Sequence, residues 1–367
     1  MIIDNRALLI NLISSRKIRV MDGSLFHELP EPLPDEFDFK RIEGMLLGTA
    51  FGDALGATTE GMIPGERNHY YGEIRGYLPN RYANNCPLGL PSDDTQMTFW
   101  TLEQLITDNG LVPVNLADRF CREQIFGIGS AVHSFIVNYK ENGCSWQEAG
   151  ARSLGNGSLM RIAPVIVPYL KSPGASLWAD VAIDTMITHN DYGAVAASVA
   201  FIYLLWSLLG MKSTPDPEWW AETFCSRAEE LEGESRYRPR HGRIIYEGPL
   251  WRFTREMVRR ALKAKMSIVS ACNWWASGAY LLETVPSVLY ILARHAADPE
   301  EAIIRAVNDT KDNDTIAAIV GAAVGALHGI DAIPSRWRDG LIGRTGESDD
   351  GRIYELIAMA KERFWTG

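Results

Sequence analysis

Apolar residues recur at three- and four-residue spacing through most of this chain, the period of helices laid against a core. The pattern predicts helices over 42–57, 98–108, 114–124, 131–139, 177–187, 194–209, 217–231, 251–265, 284–295, 299–307, 315–328 and 353–364. Alternating runs are scarce, and only a short strand over 243–246 competes. Residues 194–209 are apolar nearly all round, but the run is short for a membrane span of about 20 residues. It has no basic flanks and no companion segment, so it is expected to be a central buried helix. The fold class expected is all-α, a single compact multi-helix domain.

The first forty residues depart from that pattern. Residues 6–21 form a short amphipathic helix or strand. Pro30, Pro32 and Pro34 then alternate with Glu28, Glu31, Asp35, Glu36 and Asp38, a composition of extended linker. The chain therefore divides into an arm, 1–40, and a body, 41–367. Leu8, Leu9, Ile10, Leu12 and Ile13 give the arm an apolar cluster that a free tail has no reason to expose, so it should rest on a partner or on its own body.

Composition narrows the function. With 367 residues, 46% of them hydrophobic, there is ample chain for a large core. The formal charge of −10, with no long basic run, excludes a nucleic-acid partner. Cys86, Cys121, Cys144, Cys225 and Cys272 are scattered and show no C-x-x-C, so they are expected as reduced thiols in the cytoplasm. The N-terminal residues have neither the basic start nor the apolar stretch of a secretory signal.

Candidate chemistry gathers at two loop-to-helix junctions. Ser92, Asp93 and Asp94 precede one helix; Asp309, Asp312, Asp314 and Thr315 precede another. Capping accounts for one carboxylate at each, and Asp93 with Gln96 could close a capping box. It does not account for several carboxylates together, which repel one another. A hard divalent cation removes that conflict, and carboxylates with hydroxyls are the oxygen ligands it prefers. Gly44, Gly48, Gly52 and Gly56 let a second backbone approach one helix face, but leave Asp53 and Glu60 unexplained. Gly155, Asn156, Gly157 and Ser158, with Arg161 nearby, could cradle an anion on backbone amides. His189 stands at a helix end.

These segments, in this order, resemble the ADP-ribosylglycohydrolase family from about residue 41 to 364. The resemblance implies an all-helical hydrolase with two magnesium ions, manganese being a possible substitute, that cleaves ADP-ribose from a modified side chain. It makes Ser92, Asp93 and Asp94 the first metal motif and Asp312, Asp314 and Thr315 the second. It places Glu60 over the substrate ribose, Gly155 to Ser158 at the phosphates and His189 near the ligand. Asp94, Asp314 and Glu60 are expected to be catalytic. Three departures bear on this: Asn313 replaces a threonine, Thr310-Lys311 replaces Gly-Gly, and Gly127-Ile128-Gly129 stands where several arginine-specific members have Asp-Ile-Gly. The substrate expected is an ADP-ribosylated protein, most plausibly modified on arginine. The arm is expected to bind a cognate ADP-ribosyltransferase toxin, which would make the protein an immunity factor, while no membrane partner is expected.

Overall fold

Four glycines at four-residue spacing leave one helix face bare, and the molecule is assembled around that face. The computed structural model describes residues 4–241 and 244–366. The arm contributes α1 (Asn5–Ser14). The body begins with α2 (Lys40–Gly56), α3 (Pro64–Tyr71), α4 (Asp93–Asp108), α5 (Pro113–Arg119), α6 (Ser130–Ile136) and α7 (Trp146–Ala149). Next come α8 (Ser176–Thr188), α9 (Tyr192–Gly210), α10 (Pro217–Glu232), α11 (Leu250–Lys263) and α12 (Ile268–Trp275). The chain finishes with α13 (Leu281–His295), α14 (Pro299–Asp309), α15 (Asn313–His328), α16 (Ser335–Gly340) and α17 (Arg352–Lys361). Among the described residues there is no strand, only isolated bridges. The expected strand over 243–246 is absent at Ile244–Tyr246, and Arg243 lies outside the described residues.

Helices α2 and α15 form the axis. A Cβ on Gly44 would fall 2.6 Å from the Gly325 carbonyl oxygen, and on Gly48 2.2 Å from that of Gly321. On Gly52 it would fall 2.1 Å from the Ala317 oxygen, and on Gly56 2.4 Å from the Asp314 Cα. Contacts that advance along α2 retreat along α15, so the two helices run antiparallel, backbone against backbone. The C-terminal end of α2, with Asp53, is thereby laid beside the N-terminal end of α15, with Asp314. Helix α9 is long and apolar enough to cross a membrane, yet 83% of its most apolar window is buried inside the protein. It is a core helix.

Of the helix starts that lie earlier than periodicity implies, two bear on the chemistry. Helix α4 begins at Asp93 and α15 at Asn313, so the acidic residues form first turns instead of preceding loops. The short helices α3, α7, α12 and α16 carry too few turns to show a period.

The arm lies on the body. Asn5 Nδ2 donates to the Leu111 carbonyl at 2.9 Å and to Asp180 Oδ1 at 2.7 Å. The indole N–H of Trp178 donates to the Glu28 carbonyl and that of Trp206 to the Glu31 carbonyl, which pins the proline-rich segment at two points. Leu9 and Leu12 are buried in the common core together with Leu25, Phe26, Phe37 and Phe39, while Ile10 stays 54% exposed. The apolar cluster thus finds its cover on the protein's own surface.

Candidate active site

The site is built where the starts of α4 and α15 meet the end of α2. Ser92 caps α4: its Oγ accepts from the Asp94 amide at 3.4 Å and donates to Asp94 Oδ2 at 3.1 Å. No Asp93–Gln96 capping box forms, because Gln96 turns away to the carbonyls of Gln124 and Thr345. Asp53, on α2, accepts from the amides of Ser92 and Thr95 and from the Thr95 hydroxyl. Its negative charge sits on the amide end of α4, where the helix dipole favours it. Across the gap, the Thr315 hydroxyl donates to Asp94 Oδ2 at 3.2 Å.

Two acidic groups result. Carboxylate oxygens of Asp53, Asp94 and Asp314 lie within 4.8 Å of one another, and so do those of Glu60, Asp312 and Asp314. Asp314 joins both. Asp93 belongs to neither and faces the adjoining cavity, where a Cβ on Gly127 would stand 3.4 Å from its Oδ1.

Three buried side chains hold this geometry. Asn313, in the place of the expected threonine, donates to the Gly56 carbonyl and to Thr59 Oγ1, closing α15 onto the end of α2. Asn156 Nδ2 donates to Asp312 Oδ2 at 2.6 Å and to Thr284 Oγ1 at 3.1 Å. Arg67 donates to the carbonyls of Met62, Asn308 and Thr310 and to the Thr59 hydroxyl, fastening the loop before α15 to the segment that carries Glu60. Sequence reasoning missed Arg67, since nothing around it marks a site, and left Asp53 without a role.

Burial dominates the electrostatics. It pushes the Asp53 carboxyl up to about 6, although the Thr95 and Ser92 hydrogen bonds oppose the shift. It raises Asp312 to about 7 against the Asn156 bond, with Glu60 and Glu283 adding repulsion. Asp93, Asp94 and Asp314 are raised well above the ordinary range by burial first and by neighbouring carboxylates next, and burial raises Glu60 as well. Such a cluster holds its charges poorly by itself. Asp94 Oδ1 is moreover buried without a hydrogen-bond partner. A buried acceptor of this kind, among converging carboxylates and two hydroxyls, fits a hard divalent cation.

Two adjoining cavities open on the acidic groups, with Glu60, Asp312, Arg240 and Ala279 lining both. The inner one, about 180 Å³, is bordered by Asp93, Asp314, Thr315, His189 and the glycine loop. His189 is buried, and burial lowers its pKa to about 3, so the ring is neutral. Its Nδ1 pairs with Thr188 Oγ1, which also accepts from Arg161. Its Nε2 stands beside Gly155 and Gly157.

The glycine loop differs from the expected cradle. The Gly155 amide is spent on Ser153 Oγ and the Asn156 amide on the Ala279 carbonyl, so neither is free for an anion. Gly155, Asn156 and Gly157 line the inner cavity, but Ser158 is fully buried behind it. Arg161 is likewise buried and pairs with Asp184, which removes it from any anion site. Asp94 and Ser92 line neither cavity. Asp94, expected to be catalytic as well as a ligand, lies with Asp53 and Asp314 rather than on a cavity wall.

Comparison with known proteins agrees with this architecture. The sequence pattern of the ADP-ribosylglycohydrolase family matches residues 34–364. The chain is 27% identical to the ADP-ribosylarginine hydrolase Tri1 of Pseudomonas putida, over 83% of this chain and 75% of that protein. It is 26% identical to the ADP-ribosyl-[dinitrogen reductase] glycohydrolase of Rhodospirillum rubrum, over 87% of this chain and 96% of the relative. A solved structure described as an ADP-ribosylglycohydrolase-related protein complex superposes with a TM-score of 0.63 at 26% identity, covering 89% of this chain and 96% of that one.

Proposed function

The chain belongs to the ADP-ribosylglycohydrolase family and is an enzyme of that activity; from this footing we propose that it removes ADP-ribose from modified arginine in a magnesium-dependent reaction. The observation that carries the reading is the convergence of Asp94, Asp312, Asp314 and Glu60 beside a cavity bordered by His189 and Gly157.

Ser92, Asp93, Asp94, Asp312, Asp314 and Thr315 are the residues proposed to hold two magnesium ions, manganese being an alternative. When bound, such ions supply Lewis-acid chemistry and neutralise the carboxylates. The remaining work falls to the chain itself. His189, with the proton on Nε2 that this role needs, and the Gly157 backbone beside it receive the phosphate side of the substrate, which a protein of net charge −10 must hold by local devices. Glu60, which borders both cavities, orients the attacking water and takes its proton. The carboxylate array favours the oxocarbenium-like character that develops at the sugar carbon.

The test is release of ADP-ribose from an arginine-modified protein, with magnesium and with a chelator. Turnover that a chelator stops supports the reading. Gly127 stands where several arginine-specific relatives have an aspartate, so a serine-linked peptide belongs in the same assay. Release from serine alone replaces arginine with an oxygen linkage.

Reversal of ADP-ribosylation would also make the protein an immunity factor against an ADP-ribosyltransferase, acting in the cytoplasm, where its five unpaired cysteines belong. In that role, enzymatic reversal is the better supported half. The arm's apolar cluster, which suggested direct blocking of a toxin, is committed to the body, leaving Ile10, Met21 and Leu29 as its exposed large apolar side chains among the described residues. Protection that survives the combined Ile10→Ser, Met21→Ser and Leu29→Ser and is lost with Asp314→Ala is the expected result.

A further inference from the structure

The second cavity, about 230 Å³, lies beyond Glu60 and Asp312 and is bordered by neither His189 nor Gly157. One wall is Glu283, in the first turn of α13, a residue 2% exposed. Its Oε2 accepts from the Gly278 amide at 3.1 Å. Its Oε1 is buried and has no hydrogen-bond partner. The next residue, Thr284, donates to the Gly278 carbonyl and accepts from Asn156, which holds Asp312. The wall is therefore fixed to the acidic centre by a short chain of hydrogen bonds.

A buried carboxylate oxygen without a donor costs free energy until something supplies one. The ligand that would do so is a cation with N–H groups. Arg240, His241 and Lys311 also border this cavity, but all three are exposed, and the Arg240 guanidinium lies 4.1 Å from the Tyr280 ring centroid, stacked on it. An anion seated here would meet Glu60 and Glu283 and leave Oε1 unsatisfied. A guanidinium meets both carboxylates with the planar donors they match.

We propose that Glu283 is a specificity-determining residue: with Glu60 it receives the guanidinium leaving group of an arginine-linked substrate in this second cavity, while ADP-ribose occupies the first. The inference rests on the arginine reading above. It makes linkage preference a property of α13, separate from the acidic centre.

Glu283→Gln tests it, because glutamine keeps an acceptor for the Gly278 amide and loses only the charge. Three measurements are made on the full chain with magnesium: kcat/KM on ADP-ribosyl-agmatine, the Kd of ADP-ribose, and competitive inhibition by agmatine. The expected result is a fall in kcat/KM of about 10- to 100-fold, the scale of a charged hydrogen bond. ADP-ribose affinity should stay within about twofold of wild type, and agmatine inhibition should be lost. A merely structural role would move ADP-ribose affinity as well, and that outcome overturns the proposal. So does unchanged kcat/KM with agmatine still inhibiting. If the wild-type enzyme leaves ADP-ribosyl-agmatine intact, the arginine reading has failed. Glu283 is then judged on agmatine binding alone, followed by thermal shift: binding to wild type and not to Glu283→Gln supports the cation site, and absence of binding to wild type sinks it.

Discussion

Asp314 is the residue on which the two acidic groups turn, since its carboxylate lies in both. Asp314→Ala should lower ADP-ribose release by at least about 100-fold, the upper range for losing even an indirect support of a metal ligand. Its fold should survive, because the change removes one of several mutually repelling carboxylates, and the buried Arg67 guanidinium, which Asp314 supports, keeps Asp309 and its four backbone and hydroxyl partners. Magnesium should raise the melting temperature of wild type and leave that of the variant unmoved. Wild-type turnover by the variant would remove Asp314 from the centre. At this scale the motif residues were legible because acidic and hydroxyl side chains crowd two short segments. Arg161 shows the limit: its position beside the glycine loop suggests an anion ligand, but its partner, Asp184, lies on α8 and takes it inward. Asn156 shows another, since its side chain serves Asp312 rather than a phosphate. Spacing along the chain does not say which way a side chain turns.

Among the elements, the packing of α2 on α15 decides whether a site exists. Gly48→Ala would place a methyl carbon 2.2 Å from a backbone oxygen that has no rotamer by which to yield. The expected cost is about 3 kcal/mol, the upper range for overpacking, measured by denaturant unfolding, together with weaker activity as Asp53 and Asp314 part. Gly65→Ala, in α3 with open space around it, should change stability by no more than about 1 kcal/mol. The docking of α1 is sensitive to pH. Burial raises the Asp180 carboxyl to about 7, against bonds from Tyr169 and Asn5 that lower it and with Asp184 adding to the rise. An unfolded aspartate titrates near 3.9. Between those values the folded chain holds more protons than the unfolded one, so this group's contribution to stability falls as pH rises from about 4 to about 7. Asp180→Asn keeps an oxygen for Asn5 and carries no charge. Its melting temperature relative to wild type should therefore climb between pH 5 and pH 8 and level off at higher pH; a difference independent of pH would refute the assignment.

For the whole molecule, the packing of the arm on the body is the feature with the largest expected consequence. Deleting everything before Lys40 would uncover Trp178 and Trp206 and remove eight buried apolar side chains, each worth about 1.5–3 kcal/mol. The truncated protein should melt lower by roughly 5 °C or more, or aggregate. Its activity should suffer too, because Asn190, the neighbour of His189, holds the arm at the Arg19 amide and the Lys17 carbonyl. Unchanged melting and turnover would show the arm to be dispensable. What the sequence by itself determined was local. Helical period, the bare glycine face and the crowding of acidic residues near two helix starts follow from residue type and spacing, because such patterns act within one element. Tertiary structure decided the rest: that Asp53 locks α4 to α2, that Arg67 and Asn313 brace the loop before α15, that Ser158 and Arg161 turn from the cavity, and that the arm covers its own body. Those outcomes depend on which surfaces meet, and contacts between residues far apart in the chain leave no period in it.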